Sequence, residues 1–456
     1  MNLSSINMKG NVSRLSTYVW GRVGGKSSET SISSQTQRCA IQLICFAIAF
    51  PLVKEILVNI IKVVVQAPFF FNLDVLYYPL LALVYLPLVV VLLRFVMSVM
   101  FEFPWQEIVP LVFLLALIAI SALINSTDQV IQDYYWDLLQ GVALSALPFY
   151  ILFRACKPTK ELLDAMGIAA LIALAAGFVV VTQLMTLDTK SYSQWLSYLL
   201  LPPAIILQYH CFHSTNRIRF LVYTIAAVVS FGLLLSTGAR GPLTIAVVYF
   251  IGSCILPKRF SPELRFALFL LIVFVAVFVL VNLESVMSLL MTVMGENGLS
   301  VRLARLYELN VLFVDDGRSS FADMTLDAIL NAPLGVGVGQ DCVILASAQG
   351  AEAIAGNYPH NIFLELLLQF GIVVGPLILI GLAYLIWESF NRGTELERSY
   401  LCIMLMLGVM PLLVSGTYLE WDYFWATLGV CIAIIRPMGS EKRKGNAQAY
   451  SEDTCK

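Results

Sequence analysis

Charge is scarce in this chain: only 13% of its 456 residues are Asp, Glu, Lys or Arg, against 59% that are hydrophobic. A soluble domain carries about 25% charged residues, so the scarcity excludes a soluble globular enzyme and leaves a polytopic membrane protein. Histidine is scarcer still, at three residues, His210, His213 and His360. The nine cysteines include no CxxC pair and fall mostly in apolar stretches, so neither a zinc site nor a disulfide framework has its spacing here. The formal charge of -2 names no partner, because in a membrane protein the distribution of basic residues among loops carries the information. The first 38 residues are Ser-rich and polar, with Lys9, Arg14, Arg22, Lys26 and Arg38; they read as a disordered cytoplasmic tail rather than a cleavable signal.

What is present is apolar runs. Crossing about 30 Å of hydrocarbon takes about 20 residues, and about twelve such runs occur, roughly at 40 to 60, 75 to 100, 107 to 125, 139 to 155, 162 to 187, 193 to 212, 218 to 236, 242 to 256, 264 to 283, 361 to 388, 399 to 416 and 421 to 436. Lys54, Glu55 and Lys62 interrupt the first. With the N-terminus inside, alternate loops collect Arg94, then Arg154, Lys157 and Lys160, then Arg217 and Arg219, then Lys258, Arg259 and Arg265, then Arg392 and Arg398, and finally Arg436 and Lys442 to Lys444. The segments 126 to 138 and 417 to 421, expected as outside loops, contain no basic residue. That alternation predicts an even number of spans with both termini cytoplasmic. The fold expected is all-α: a disordered tail over 1–38, spans one to nine over 39–283, a large outside loop over 284–360, spans ten to twelve over 361–436 and a second tail over 437–456.

The loop over 284–360 is out of scale with the other connections, and long loops in an otherwise economical chain are usually functional. Residues 301 to 314 place Leu303, Leu306, Leu309 and Phe313 at helical spacing with Arg302 and Arg305 beside them. A second short helix is expected over 315 to 330, with Ser319 or Ser320 as its N-cap. Pro333 ends it, and Gly335, Gly337 and Gly339 then allow tight turns. This glycine run lacks the Lys-Ser/Thr of a nucleotide loop, and Asp315 with Asp316 reads as a solvated turn rather than a metal site.

His360 stands where polar chain enters an apolar helix, at the positive end of a helix dipole that favours the neutral imidazole. There it can serve as a general base toward a hydroxyl, or simply anchor the helix at the interface. Asn361 fits either a ligand contact or the helix N-cap. Arg240, in STGARGPL, opposes the charge rule from a tight hinge and is costly near hydrocarbon unless paired or hydrated. Snorkelling to lipid headgroups is its ordinary alternative. Arg318 is a similar but weaker candidate, since a solvated loop tolerates arginine. Arg302 and Arg305 fit a solvated helix face as well as a ligand site. Outward arginines with one outward histidine point to an anionic, phosphorylated amphiphile, because guanidinium forks match phosphate oxygens in pairs.

Three landmarks carry a family resemblance: STGARGPL (236 to 243), DGRSSFADMTLDAILNAPLGVGVG (316 to 339) and HNIFLELLLQFGIVVG (360 to 375). In this order, with a large loop between the first and third, they resemble the O-antigen ligase and O-antigen polymerase superfamily of bacterial inner-membrane proteins. The resemblance implies a multi-pass protein of the bacterial inner membrane that transfers a glycan on the periplasmic side. The implied donor is carried on undecaprenyl diphosphate, and the acceptor is a glycan or a lipid-linked glycan. His360 would take the proton from the acceptor hydroxyl, and Arg240 and Arg318 would bind the diphosphate. No cofactor, metal or nucleic acid is implied; a flippase and a chain-length regulator are the protein partners. Arg302 and Arg305 match no landmark. Polymerisation of surface polysaccharide repeats is the expected activity, with ligation to lipid A core and membrane transport as alternatives. A transporter would bury charged residues in mid-span.

Overall fold

A computed structural model describes residues 34–66, 74–100, 103–124, 128–186, 194–237, 239–255, 285, 318–350 and 354–437. Regular secondary structure among the described residues is entirely helical. We number the helices α1 (Ser34–Gln66), α2 (Asp74–Val99), α3 (Val109–Ile124), α4 (Gln129–Ala155), α5 (Lys160–Thr186), α6 (Gln194–His213), α7 (Arg217–Ser236), α8 (Arg240–Ile255), α9 (Arg318–Asn331), α10 (Gln340–Gln349), α11 (Ile362–Arg392), α12 (Glu395–Val414) and α13 (Asp422–Ile435). Seven of the described helices are long and apolar enough to cross a bilayer, which makes this an all-α polytopic membrane protein. The run at 264 to 283 and the helix expected over 301 to 314 lie outside the described residues, as do most of both tails.

The bundle is built around α6, which is buried almost continuously from Leu196 to His210 and tolerates Pro202 and Pro203 in mid-helix. α5, α7 and α8 pack against it. At one end of the bundle Arg154 and Glu107 form a bidentate pair, with Nε donating at 2.6 Å and Nη2 at 3.0 Å. Arg154 is almost fully buried, and the backbone of Gly429 packs against its amide nitrogen: a Cβ there would come within 2.9 Å.

α9 begins at Arg318, so Ser319 and Ser320 lie inside its first turn rather than capping it; two further segments differ from the sequence reading. Residues 129 to 138, expected as loop because they are polar, form the first turns of α4. The Asp128 carboxylate caps them, accepting from Val130 N at 3.0 Å and Ile131 N at 3.2 Å. Tyr134, Tyr135 and Leu138 face the core, while Asp133 and Asp137 face out. The polarity is therefore one face of an amphipathic helix.

The second difference concerns 361 to 388, expected as one continuous span. α11 is interrupted at Gly371, whose φ of 78° and ψ of 174° are not helical. A Cβ on Gly375 would lie 2.8 Å from Leu366 O and 3.1 Å from Leu367 Cα. In a straight helix those positions are about 12 to 14 Å from Gly375 along the axis, so the chain turns back on itself. Residues 362 to 370 form a half-helix, and 372 to 392 form the span proper.

The loop between α9 and α10 supplies the backbone partners that such a break requires. Val336 N donates to Leu368 O at 2.9 Å and Gly337 N to Gln369 O at 3.0 Å, closing the end of the half-helix. Ile372 N donates to Pro333 O at 3.0 Å, starting the span. The approach is backbone to backbone: a Cβ on Gly335 would meet Gln369 O and Gly371 N, both at 2.6 Å. Gly335, Gly337, Gly339 and Gly371 all take positive φ, which glycine accepts without steric cost.

Candidate active site at the half-helix

The sequence Tyr358-Pro359-His360-Asn361 builds the start of the half-helix residue by residue. Proline restricts the residue before it to extended backbone. His360 follows at φ 56°, the one non-glycine residue with positive φ among those described. For a residue with a Cβ that conformation costs on the order of 1 kcal/mol, so the surroundings must hold it. Asn361 is the N-cap, its side chain accepting from Phe363 N at 2.9 Å. Its helix-capping role is thus filled by a visible hydrogen bond.

The imidazole lies between two rings. Tyr358 is 4.4 Å away, centroid to centroid, with its plane tilted by 58°. Phe321 meets the imidazole nearly at right angles, 5.4 Å away. Phe321 sits on α9, one turn after Arg318, the first residue of that helix; the Arg318 side chain is outside the described residues. The structure therefore brings the Arg318 position and His360 to one place through Phe321.

Arg240 is the first residue of α8 and is half-buried. Beside it, a Cβ on Gly241 would lie 3.1 Å from the Tyr198 hydroxyl and 3.2 Å from Val414. Val414 is followed by Ser415, whose carbonyl accepts from the Tyr358 hydroxyl at 2.6 Å. The hinge carrying Arg240 is thus joined to His360 through the 414–415 turn and Tyr358. Arg302 and Arg305 lie outside the described residues.

Beneath these residues is a buried polar network that the sequence reading did not single out. Tyr418 donates to Gln369 Oε1 at 2.6 Å, and Gln369 Nε2 donates to Asp341 Oδ1 at 2.8 Å. Thr417 donates to Glu365 Oε1, the Gln194 amide donates to Ser415 Oγ, and Tyr135 donates to Gln340 Oε1 at 2.6 Å. Asp341 and Glu365 are both about 1% exposed, and Asp341 Oδ2 and Glu365 Oε2 find no hydrogen-bond partner among the described residues. Burial pushes Asp341 up to about 6. A signal for part of this was present: Glu365 and Gln369 stand four residues apart in an apolar run, which puts two polar side chains on one helical face.

These features define a multi-pass helical membrane protein whose candidate site is a histidine held at the mouth of a half-helix, with α9 against it through Phe321 and the hinge of Arg240 linked to it through the 414–415 turn and Tyr358. Residues 225–379, about a third of the chain, match the family model described as O-antigen ligase (Wzy_C). The match spans Arg240, Arg318, His360 and the break at Gly371. It supports a role in glycosyl transfer for surface polysaccharide or lipopolysaccharide synthesis. No curated protein matches the chain.

Proposed function

We propose that this chain transfers a glycan from undecaprenyl diphosphate to an acceptor hydroxyl on the periplasmic side of the inner membrane, polymerising surface polysaccharide repeats. The observation that carries the reading is His360, held in a left-handed conformation between Tyr358 and Phe321 where the half-helix begins. Strain of that kind persists where the surroundings fix a side chain for use.

In this mechanism His360 accepts the proton of the acceptor hydroxyl as the oxygen attacks the anomeric carbon. The bond from that carbon to the diphosphate oxygen breaks, and the electron pair leaves with undecaprenyl diphosphate. Arg240 and Arg318 hold the diphosphate and stabilise the charge that grows on it. Asn361 shapes the mouth of the half-helix as its cap. A flippase supplying the donor and a chain-length regulator are the partners the reaction calls for.

The test is the glycan profile of a strain lacking this chain, complemented with wild type or His360→Ala. The reading expects single repeats on the acceptor in the deletion, restored to polymer by wild type and not by His360→Ala at equal membrane abundance. Full-length chains stranded on the lipid carrier would make it a ligase. Polymer of normal length from His360→Ala would remove the histidine from the mechanism.

A further inference from the structure

Outside the histidine site, α9 carries three distinct faces. At about 100° per residue, Phe321, Thr325, Ala328 and Ile329 occupy one sector, and of these Thr325 and Ile329 are buried. α9 packs on α11 and α10, which accounts for that sector. Asp323, Asp327 and Asn331 occupy another sector and are exposed. Between these two sectors lie Leu326 and Leu330, 47% and 77% exposed. Leu334, in the turn that follows, extends the stripe and is 87% exposed.

Leucines so exposed are costly in water, but these continue a surface that is already apolar. The turn bearing Leu334 is bonded to the span by Ile372 N donating to Pro333 O at 3.0 Å. From Ile372 onward, Val373, Leu377, Ile380 and Trp387 are all exposed along one side of the span, an apolar side of the kind that a membrane helix turns to lipid. The leucine stripe of α9 meets that apolar strip at Gly371.

We propose that α9 lies along the bilayer surface on the His360 side, with Leu326, Leu330 and Leu334 among phospholipid acyl chains and Asp323 and Asp327 in water. An amphipathic helix with one apolar sector beside a charged one is held at an interface in this way. The arrangement sets Phe321, and with it the edge of the histidine site, at the depth of the lipid headgroups. The membrane contact stands apart from the reaction proposed above.

The test places p-benzoylphenylalanine, one position at a time, at Leu330, Leu334, Asp323 and Asp327 of the full chain in nanodiscs of phosphatidylethanolamine and phosphatidylglycerol. Each variant is irradiated, and its adducts are identified by mass spectrometry. The proposal expects phospholipid adducts at 330 and 334, several-fold more abundant than at 323 and 327. Adducts at 330 and 334 to other segments of this chain would show that protein covers the stripe and would overturn it. So would adducts to a co-purified polyprenyl carrier in place of phospholipid, or equally low phospholipid yields at all four positions. Two leucine positions are used so that a folding defect at one leaves the other decisive, and a melting temperature matching wild type qualifies each variant.

Discussion

Tyr358 and His360 are bound across a single proline: their ring centroids are 4.4 Å apart, and the Tyr358 hydroxyl is anchored 2.6 Å from the Ser415 carbonyl. The ring that touches the imidazole is therefore fixed to the turn between α12 and α13, and not merely to its own loop. If His360 becomes an imidazolium during transfer, the face of Tyr358 also stabilises the charge that forms. Tyr358→Phe keeps the ring and removes the anchor, a change of about 1 kcal/mol, so transfer at saturating donor should slow about fivefold. Tyr358→Leu removes both and should slow it by roughly one further factor of ten. The measurement is turnover in membranes, using the lipid-linked glycan that accumulates in a strain lacking this chain. Equal rates for wild type and both variants would leave Tyr358 a packing residue.

Gly371 and Gly381 lie in the same helix and should respond in opposite ways to alanine. At Gly371, φ is 78° and a Cβ would come within 2.6 Å of Pro333 O. Gly371→Ala should cost at least about 2 kcal/mol, combining a strained backbone with a clash that only backbone movement relieves. At Gly381 nothing lies within 4 Å of a Cβ, and the residue is regular helix. Gly381→Ala should be neutral or stabilise by up to about 1 kcal/mol. Thermal unfolding in detergent, comparing the two variants, checks this; a melting temperature for Gly371→Ala equal to that of Gly381→Ala would mean that the chain does not reverse there.

The contrast between these glycines also marks how far the sequence could be read. Apolar length alone identified the membrane class, because a run of about 20 apolar residues has few other uses. The glycines at 335, 337 and 339 were legible as turn residues, and His360 as a boundary residue, from local chemistry. Gly371 was not: inside LLLQFGIVVGPL it looks like an ordinary glycine of a membrane helix, and its role comes from Pro333 and Leu334 arriving from another part of the chain. The helical start of α4 was hidden for a related reason, since a stretch dotted with Asp128, Asp133 and Asp137 looks like loop until the buried face is seen. The network joining Asp341, Gln369 and Tyr418 spans three separate segments, so spacing could mark Gln369 beside Glu365 but not the partners that reach it.

Asp341 makes stability depend on pH in a stated direction. Burial raises its carboxyl from 3.8 to about 6, so between those values the folded chain holds a proton that the unfolded chain has released. Stability contributed by the neutral carboxyl is fully present below about pH 4 and is lost as pH rises toward 6, because the folded state is the one binding more protons. Asp341→Asn keeps an oxygen to accept from Gln369 and removes the titration. The variant should melt at a higher temperature than wild type at pH 7.5, with the gap closing as pH falls to about 4. Parallel melting curves across that range, for purified protein in detergent, would show that Asp341 is not held in the environment described here.

Arg240 gives the sharpest test of the phosphate-binding role, because its hinge is packed too closely to let a substitute find its own position. The Cβ of an alanine at 241 would already press on Tyr198 and Val414, so the backbone at 240 has little freedom to move. Arg240→Lys preserves the charge but replaces a planar fork with a single ammonium, which cannot pair two phosphate oxygens in a fixed geometry. Losing one charge-assisted hydrogen bond is worth about 1.5 to 3 kcal/mol, or roughly a 10- to 100-fold fall in transfer. If Arg240 acts on the leaving diphosphate, the fall appears in the rate at saturating donor, because that interaction strengthens as the bond breaks. If Arg240 only anchors the helix to lipid headgroups, lysine snorkels equally well and the rate is unchanged.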